Sequence, residues 1–196
     1  MLAESREKFK KIEIFFGKIF SKFGLSPNQF TLISIAFGIF CFVFLILKKI
    51  PLALIFFLIS AFLDFVDGAV ARHLNKVTKK GAYLDTISDR LVEGLIFLGI
   101  LSLPLPKFII EAKYWIFLCF FGSLMTTYAK AAAKEKELIW QELKKGFFGR
   151  GERIILLATT IFIGIFNLNL MIYPLSLLAI FSNLTAFQRI ILALRS

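Results

Sequence analysis

The chain has four aspartates, Asp64, Asp67, Asp85 and Asp89, and all fall between residues 64 and 89. The first two stand three apart in "DFVDGAVAR" and the second two stand four apart in "GAYLDTISDR". On helices, spacings of three and four put each pair on one face. Four carboxylates converging on one volume repel unless cations hold them, and acidic groups at membrane depth are costly without partners. Hard oxygen donors in a cluster suit Mg2+ or Mn2+. Gly68 and Ala71 beside the first pair, and Gly81 ahead of the second, leave room for a ligand against the backbone. Arg72 adds a permanent cation suited to a phosphate oxygen. Together these residues make a site for a metal-bound pyrophosphate. A cation-coupled transporter would also carry acidic residues in its spans, so the residues alone leave both chemistries open.

The elements that must position these groups are helices in a membrane. The 196 residues are 58% hydrophobic, 25 of them are Phe, and the mean hydropathy is +0.80. Several apolar runs approach the length of a bilayer crossing. The expected fold is all-α: a polytopic membrane protein with spans near 29–47, 51–72, 82–103, 114–133, 153–170 and 172–192. Asp64 and Asp67 lie toward the end of the second span, and Asp85 and Asp89 near the start of the third. The short connection "RHLNKVTKKG" makes these two spans antiparallel neighbours, with all four carboxylates at one end. His73, the chain's one histidine, reads as an interfacial loop residue.

Residues 1–24 carry Phe9, Ile12, Phe16, Ile19, Phe20 and Phe23 at helical spacing, with lysines on much of the remaining surface. This is the pattern of an interfacial amphipathic helix. The division expected is therefore 1–24 as that helix and 25–196 as the six-helix membrane domain. In "LSPNQFT", Pro27 suits a first helical turn, and Ser26 or Asn28 suits its cap.

The net charge is +11. In a chain this apolar such an excess belongs to cytoplasmic loops facing anionic headgroups rather than to nucleic-acid binding. With six spans, the N-terminal segment, the 72–80 connection, the 130–153 segment and the C-terminal end share a side and hold most Lys and Arg. The other side has Lys48, Lys49, Lys107 and Lys113. Both termini and the aspartate cluster are thus expected on the cytoplasmic side of the cell membrane. Cys41 and Cys119 fall inside apolar runs and read as small buried hydrophobes, not a disulfide. The charged N-terminus lacks the pattern of a cleavable signal.

The run Asp64-x-x-Asp67-Gly68-x-x-Ala71-Arg72, then Gly81, Asp85 and Asp89 at fixed gaps, resembles the CDP-alcohol phosphotransferase signature at every fixed position. The resemblance implies transfer of a substituted phosphate from a CDP-linked donor to an alcohol, with release of CMP. It makes Asp64, Asp67 and Asp85 ligands of divalent metal, two ions being expected, and Asp89 the general base with a share in the metal. It places Asp67, Gly68, Ala71, Arg72, Gly81 and Asp85 against the CDP moiety, and it suggests a homodimer. Thr31, after "SPNQF", resembles a nucleotide-pocket position in members with "TPNxxT".

Other cations bear on the acceptor. Lys130 ends the fourth span, Arg150 and Arg153 open the fifth, and Arg189 lies in the sixth. Lys130, Arg153 and Arg189, with Arg150 beside them, would suit an acceptor that is itself a phosphate ester, since Arg offers bidentate contacts and Lys a point charge. "YAKAAA", "GRGER" and "TAFQR" are similar to the inositol-phosphate pocket motifs of phosphatidylinositol-phosphate and archaetidylinositol-phosphate synthases. Ala132 stands where many of these have a second Arg, and Gly149 where they have Glu. Glycerol 3-phosphate, the acceptor of phosphatidylglycerophosphate synthases, would also fit three cations, as would the di-inositol-phosphate reaction of another relative.

Overall fold

The computed structural model describes residues 2–138 and 148–195, with side chains from residue 10 onward. Among them the elements are helical: α1 (Leu2–Phe20), α2 (Pro27–Ile46), α3 (Ile50–His73), α4 (Lys79–Leu101), α5 (Ala112–Glu135), α6 (Arg150–Phe166) and α7 (Ile172–Leu194), with 3-10 turns at Ser21–Phe23 and Leu168–Met171. No strand occurs among the described residues beyond an isolated bridge between Phe108 and Ile110. The chain forms two compact units, one of Met1–Phe40 with Ile55–Val92, the other of Cys41–Leu54 with Glu93–Ser196.

Among the described residues four helical stretches are long and apolar enough to cross a membrane: Pro27–Ile46, Ile50–His73, Ala112–Glu135 and Leu168–Leu194. The six expected crossings are not all so plainly apolar. Helix α4 carries Asp85, Asp89, Arg90 and Glu93, and α6 has only 17 residues.

In the first unit, local chemistry sets the helix ends. The Ser26 hydroxyl accepts from the Gln29 amide at 3.4 Å, and the Gln29 side-chain oxygen accepts from the Ser26 amide at 2.7 Å. This reciprocal cap, with Pro27 as first helical residue, starts α2. Asn28 takes no part in it; its side-chain oxygen lies near Gly81. Helix α3 ends with Asn75 at φ 53, while the Lys76 amide reaches the Ala71 carbonyl at 2.8 Å and the Asn75 amide reaches that of Arg72 at 3.3 Å. That paired closure is a Schellman motif, with Asn in the left-handed position. His73 is therefore the last residue of α3, not a loop residue. Thr78 then caps α4 by accepting from the Gly81 amide at 3.0 Å.

Phe30, Val66 and Val70 are the buried centre of this unit, with Phe20, Leu25, Leu63, Phe65 and Leu74 packed around them. Leu63, Val66 and Val70 share one helical stripe of α3, and Asp64, Asp67 and Ala71 form the stripe beside it. Helix α1 lies against α3: Phe16 meets the rings of Phe62 and Phe65, and Phe20 meets Phe30 and Phe62. Gly17 permits the approach, since a Cβ there would stand 2.7 Å from the Ala69 carbonyl oxygen.

In the second unit α5 and α7 pack along each other. They cross closely at Gly122, where a Cβ would stand 2.8 Å from the Asn183 backbone nitrogen. Small residues at such crossings are the usual route to tight packing of membrane helices. Cys41 and Cys119 are buried and free, as read from the sequence. The fifth expected span, 153–170, stops earlier. Asn167 is extended, its side-chain oxygen accepts from the Asn169 amide at 2.9 Å, and a 3-10 turn leads into α7. A short polar side chain that satisfies the backbone locally competes with helix continuation.

Candidate functional site

The carboxylates come together through the α3–α4 hairpin. Asp64 and Asp67 are one turn apart on α3, and the tight closure at Asn75 returns the chain so that α4 brings Asp85 alongside. One oxygen from each of Asp64, Asp67 and Asp85 lies within 4.8 Å of the others. Asp67 is buried, and Asp64 and Asp85 are half-buried. Three anionic oxygens this close, in a partly dry setting, fit a divalent cation with a preference for hard ligands. Asp89 stands outside this group. It is 10% exposed, and its Oδ2 lies 3.8 Å from Arg90 Nη2.

Thr31 of α2 reaches into the cluster. It is buried, and its hydroxyl donates to Asp67 Oδ2 at 2.5 Å. Such a bond fixes the carboxylate's orientation. Gly68, Ala71 and Gly81 are half-buried along the same hairpin. The Arg72 guanidinium folds back over Gly68, where a Cβ would stand 3.1 Å from Nη2. Its Nε is ion-paired with the Glu13 carboxylate of α1, a partner that sequence reading did not anticipate.

The expected acceptor cations belong to the second unit. Arg153 is buried, 5% exposed. Its Nη1 donates to the Thr126 hydroxyl at 2.6 Å, and its Nε lies 3.5 Å from Glu93 Oε1. Arg189, half-buried on α7, donates from Nη1 to the Thr126 carbonyl at 2.6 Å. Lys130 is half-buried one turn along α5 from Thr126, and Arg150 is half-buried at the start of α6. Two of the four cations thus meet on Thr126, and Glu93 joins them by also accepting from Ser123 at 3.1 Å. At Gly149 a Cβ would stand 2.8 Å from Glu152 Oε2, so the Glu152 carboxylate occupies the space beside the Gly149 backbone.

Residues 24–193 match the family model described as CDP-alcohol phosphatidyltransferase. The chain belongs to this family. Membership selects phosphatidyl transfer over cation-coupled transport, and it makes the protein an enzyme. Among curated relatives, an archaetidylinositol phosphate synthase of Pyrococcus horikoshii is 36% identical over 192 residues, covering 97% of this chain and 95% of the relative. Two crystal structures of a Mycobacterium tuberculosis phosphatidylinositol phosphate synthase share the fold of this CDP-alcohol phosphatidyltransferase. The one with CDP-DAG bound has a TM-score of 0.76 at 23% identity, covering 93% of this chain and 94% of that one. The one in complex with manganese and citrate has a TM-score of 0.78 at 24% identity, covering 93% and 88%.

Proposed function

We propose that this enzyme transfers a phosphatidyl or archaetidyl group from a CDP-linked lipid to inositol 1-phosphate and releases CMP. The observation that carries the acceptor is the meeting of Arg153 and Arg189 on Thr126. Two guanidiniums held together make a dianionic phosphate the natural complement. Kinship to an archaetidylinositol phosphate synthase over nearly the full length supports the same acceptor.

In this reading the acceptor hydroxyl oxygen bonds to the lipid-bearing phosphorus as the bond from that phosphorus to the CMP oxygen breaks. The hydroxyl proton passes to Asp89, whose carboxylate is the general base. Asp64, Asp67 and Asp85 would hold Mg2+ or Mn2+, which would supply neutralising charge to the pyrophosphate and the CMP leaving group. Thr31 orients Asp67, while Gly68, Ala71 and Gly81 leave the backbone open to the CDP moiety and Arg72 faces its phosphates. Lys130, Arg153 and Arg189, with Arg150 beside them, hold the acceptor's phosphate.

The same reading counts α4 and α6 as the two further crossings, six in all. At about 25 Å, α6 is near the thickness of a bilayer core. Both termini and the site face the cytoplasm, α1 lies in the headgroup region, and the enzyme works as a homodimer.

An acceptor panel tests the substrate. With one CDP-lipid and Mn2+, CMP release is expected with inositol 1-phosphate and not with inositol or serine. A preference for glycerol 3-phosphate would move the enzyme to phosphatidylglycerophosphate synthesis. Asp89→Asn should lower kcat about 10²–10⁴-fold, the usual share of a general base; retained turnover would remove Asp89 from that role.

A further inference from the structure

We infer that Thr126 is a positioning residue that sets the spacing of the two acceptor-side guanidiniums, and through them the affinity for a phosphorylated acceptor. This rests on the reading of Arg153 and Arg189 as phosphate-holding groups.

Thr126 is fully buried on α5. It serves one arginine with its side chain and the other with its backbone. The hydroxyl accepts from Arg153 Nη1 of α6 at 2.6 Å and donates to the Ser123 carbonyl at 2.7 Å. The carbonyl accepts from Arg189 Nη1 of α7 at 2.6 Å. Two like charges brought together by separate helices need fixed acceptors, or they drift apart. Here both acceptors belong to a single residue, so the separation of the two Nη1 atoms is bounded by the dimensions of that residue and two short hydrogen bonds. Glu93 steadies Arg153 from a second direction, and its Oε1 also accepts from Ser123. The hydroxyl's bond back to Ser123 fixes the direction of its lone pairs, so Arg153 has one favoured seat. A guanidinium has five N–H donors in a rigid fork, so anchoring it through one nitrogen aims the others.

The two roles separate by mutation. Thr126→Val keeps the shape, removes the hydroxyl and leaves the carbonyl, so it releases Arg153 and not Arg189. With a CDP-lipid and Mn2+, the KM for inositol 1-phosphate should rise about tenfold, as for loss of a hydrogen bond to a charged group. The donor KM should stay within about twofold, and kcat should fall less than the acceptor KM rises. Thr126→Ser should restore the acceptor KM. In a double-mutant cycle the Val substitution should add nothing on an Arg153→Ala background and only a reduced effect on an Arg189→Ala background, where no second guanidinium is left to be spaced.

An unchanged acceptor KM in Thr126→Val, with Arg153→Ala raising it, overturns the inference and leaves the acceptor reading intact. An unchanged acceptor KM in both Arg153→Ala and Arg189→Ala removes the acceptor reading, and the inference with it. Donor KM, acceptor KM and melting temperature shifting together in Thr126→Val, without rescue by Ser, would assign Thr126 to plain packing and also overturn the inference.

Discussion

Thr31 holds Asp67 by a hydrogen bond and is not itself one of the clustered carboxylates, so its loss should be graded. Thr31→Val removes the hydroxyl that donates to Asp67 Oδ2. Groups that orient a metal-binding carboxylate typically contribute 10–100-fold in metal affinity. The Mn2+ concentration for half-maximal CMP release should rise by about that factor, with kcat at saturating Mn2+ largely kept and Thr31→Ser close to native. An unchanged Mn2+ dependence would confine Thr31 to packing. The aspartates themselves were legible because residue type and helical spacing are linear facts, and costly carboxylates in an apolar run demand a reason. Thr126, Glu93 and Glu13 were not. Each acquires its role from a partner distant in the chain: Thr126 lies 27 and 63 residues from its two arginines, and Glu13 lies 59 from Arg72. Nothing about an ordinary Thr or Glu in a helix announces such a partner.

At the scale of elements, the close seat of α1 on α3 gives the sharpest expectation. Gly17→Val would drive side-chain atoms into the Ala69 carbonyl and the His73 Cβ, which already lie 2.7 and 2.9 Å from a Cβ at that position. Overpacking of this kind costs about 1–3 kcal/mol. Helix α1 should loosen, trypsin should cut sooner at Lys18 and Lys22, and the Glu13–Arg72 pair should weaken. Cleavage at the native rate would show that the seat tolerates the side chain. The start of α2 was readable from Ser26 and Pro27, whereas the closure of α3 at Asn75 was not read from the sequence. The boundary near residue 167 was misplaced because "FNLNLMIYP" is apolar enough to pass for continuous helix. What breaks it is one asparagine's hydrogen bond to the backbone, a local competition that hydropathy does not see. The second face of α1 was half legible. Its spacing showed an amphipathic helix, but Phe16 and Phe20 pack on the protein while Phe15 and Phe23 stay exposed, at 59% and 67%.

Across the whole molecule, the asymmetry of Lys and Arg predicts a single orientation. In a background without Cys41 and Cys119, Lys107→Cys should react with an impermeant maleimide added to intact cells, and Lys76→Cys only after lysis. The reverse pattern would invert the topology. The membrane class was plain from composition, whereas the number of crossings was not settled by apolarity alone, because α4 carries the site's own charges. The α3–α4 hairpin has a last consequence, for the order of events during synthesis. Thr31, the four aspartates, Arg72 and its partner Glu13 all precede residue 93. Within that set the aspartates of α3 and α4 are joined through one tight reversal, and contacts of short sequence separation form early. The ribosome will have delivered the groups proposed to hold the pyrophosphate before it begins the arginines proposed to hold the acceptor. Damage to the later half of the chain should therefore leave a protein that still takes up metal and cannot finish the transfer.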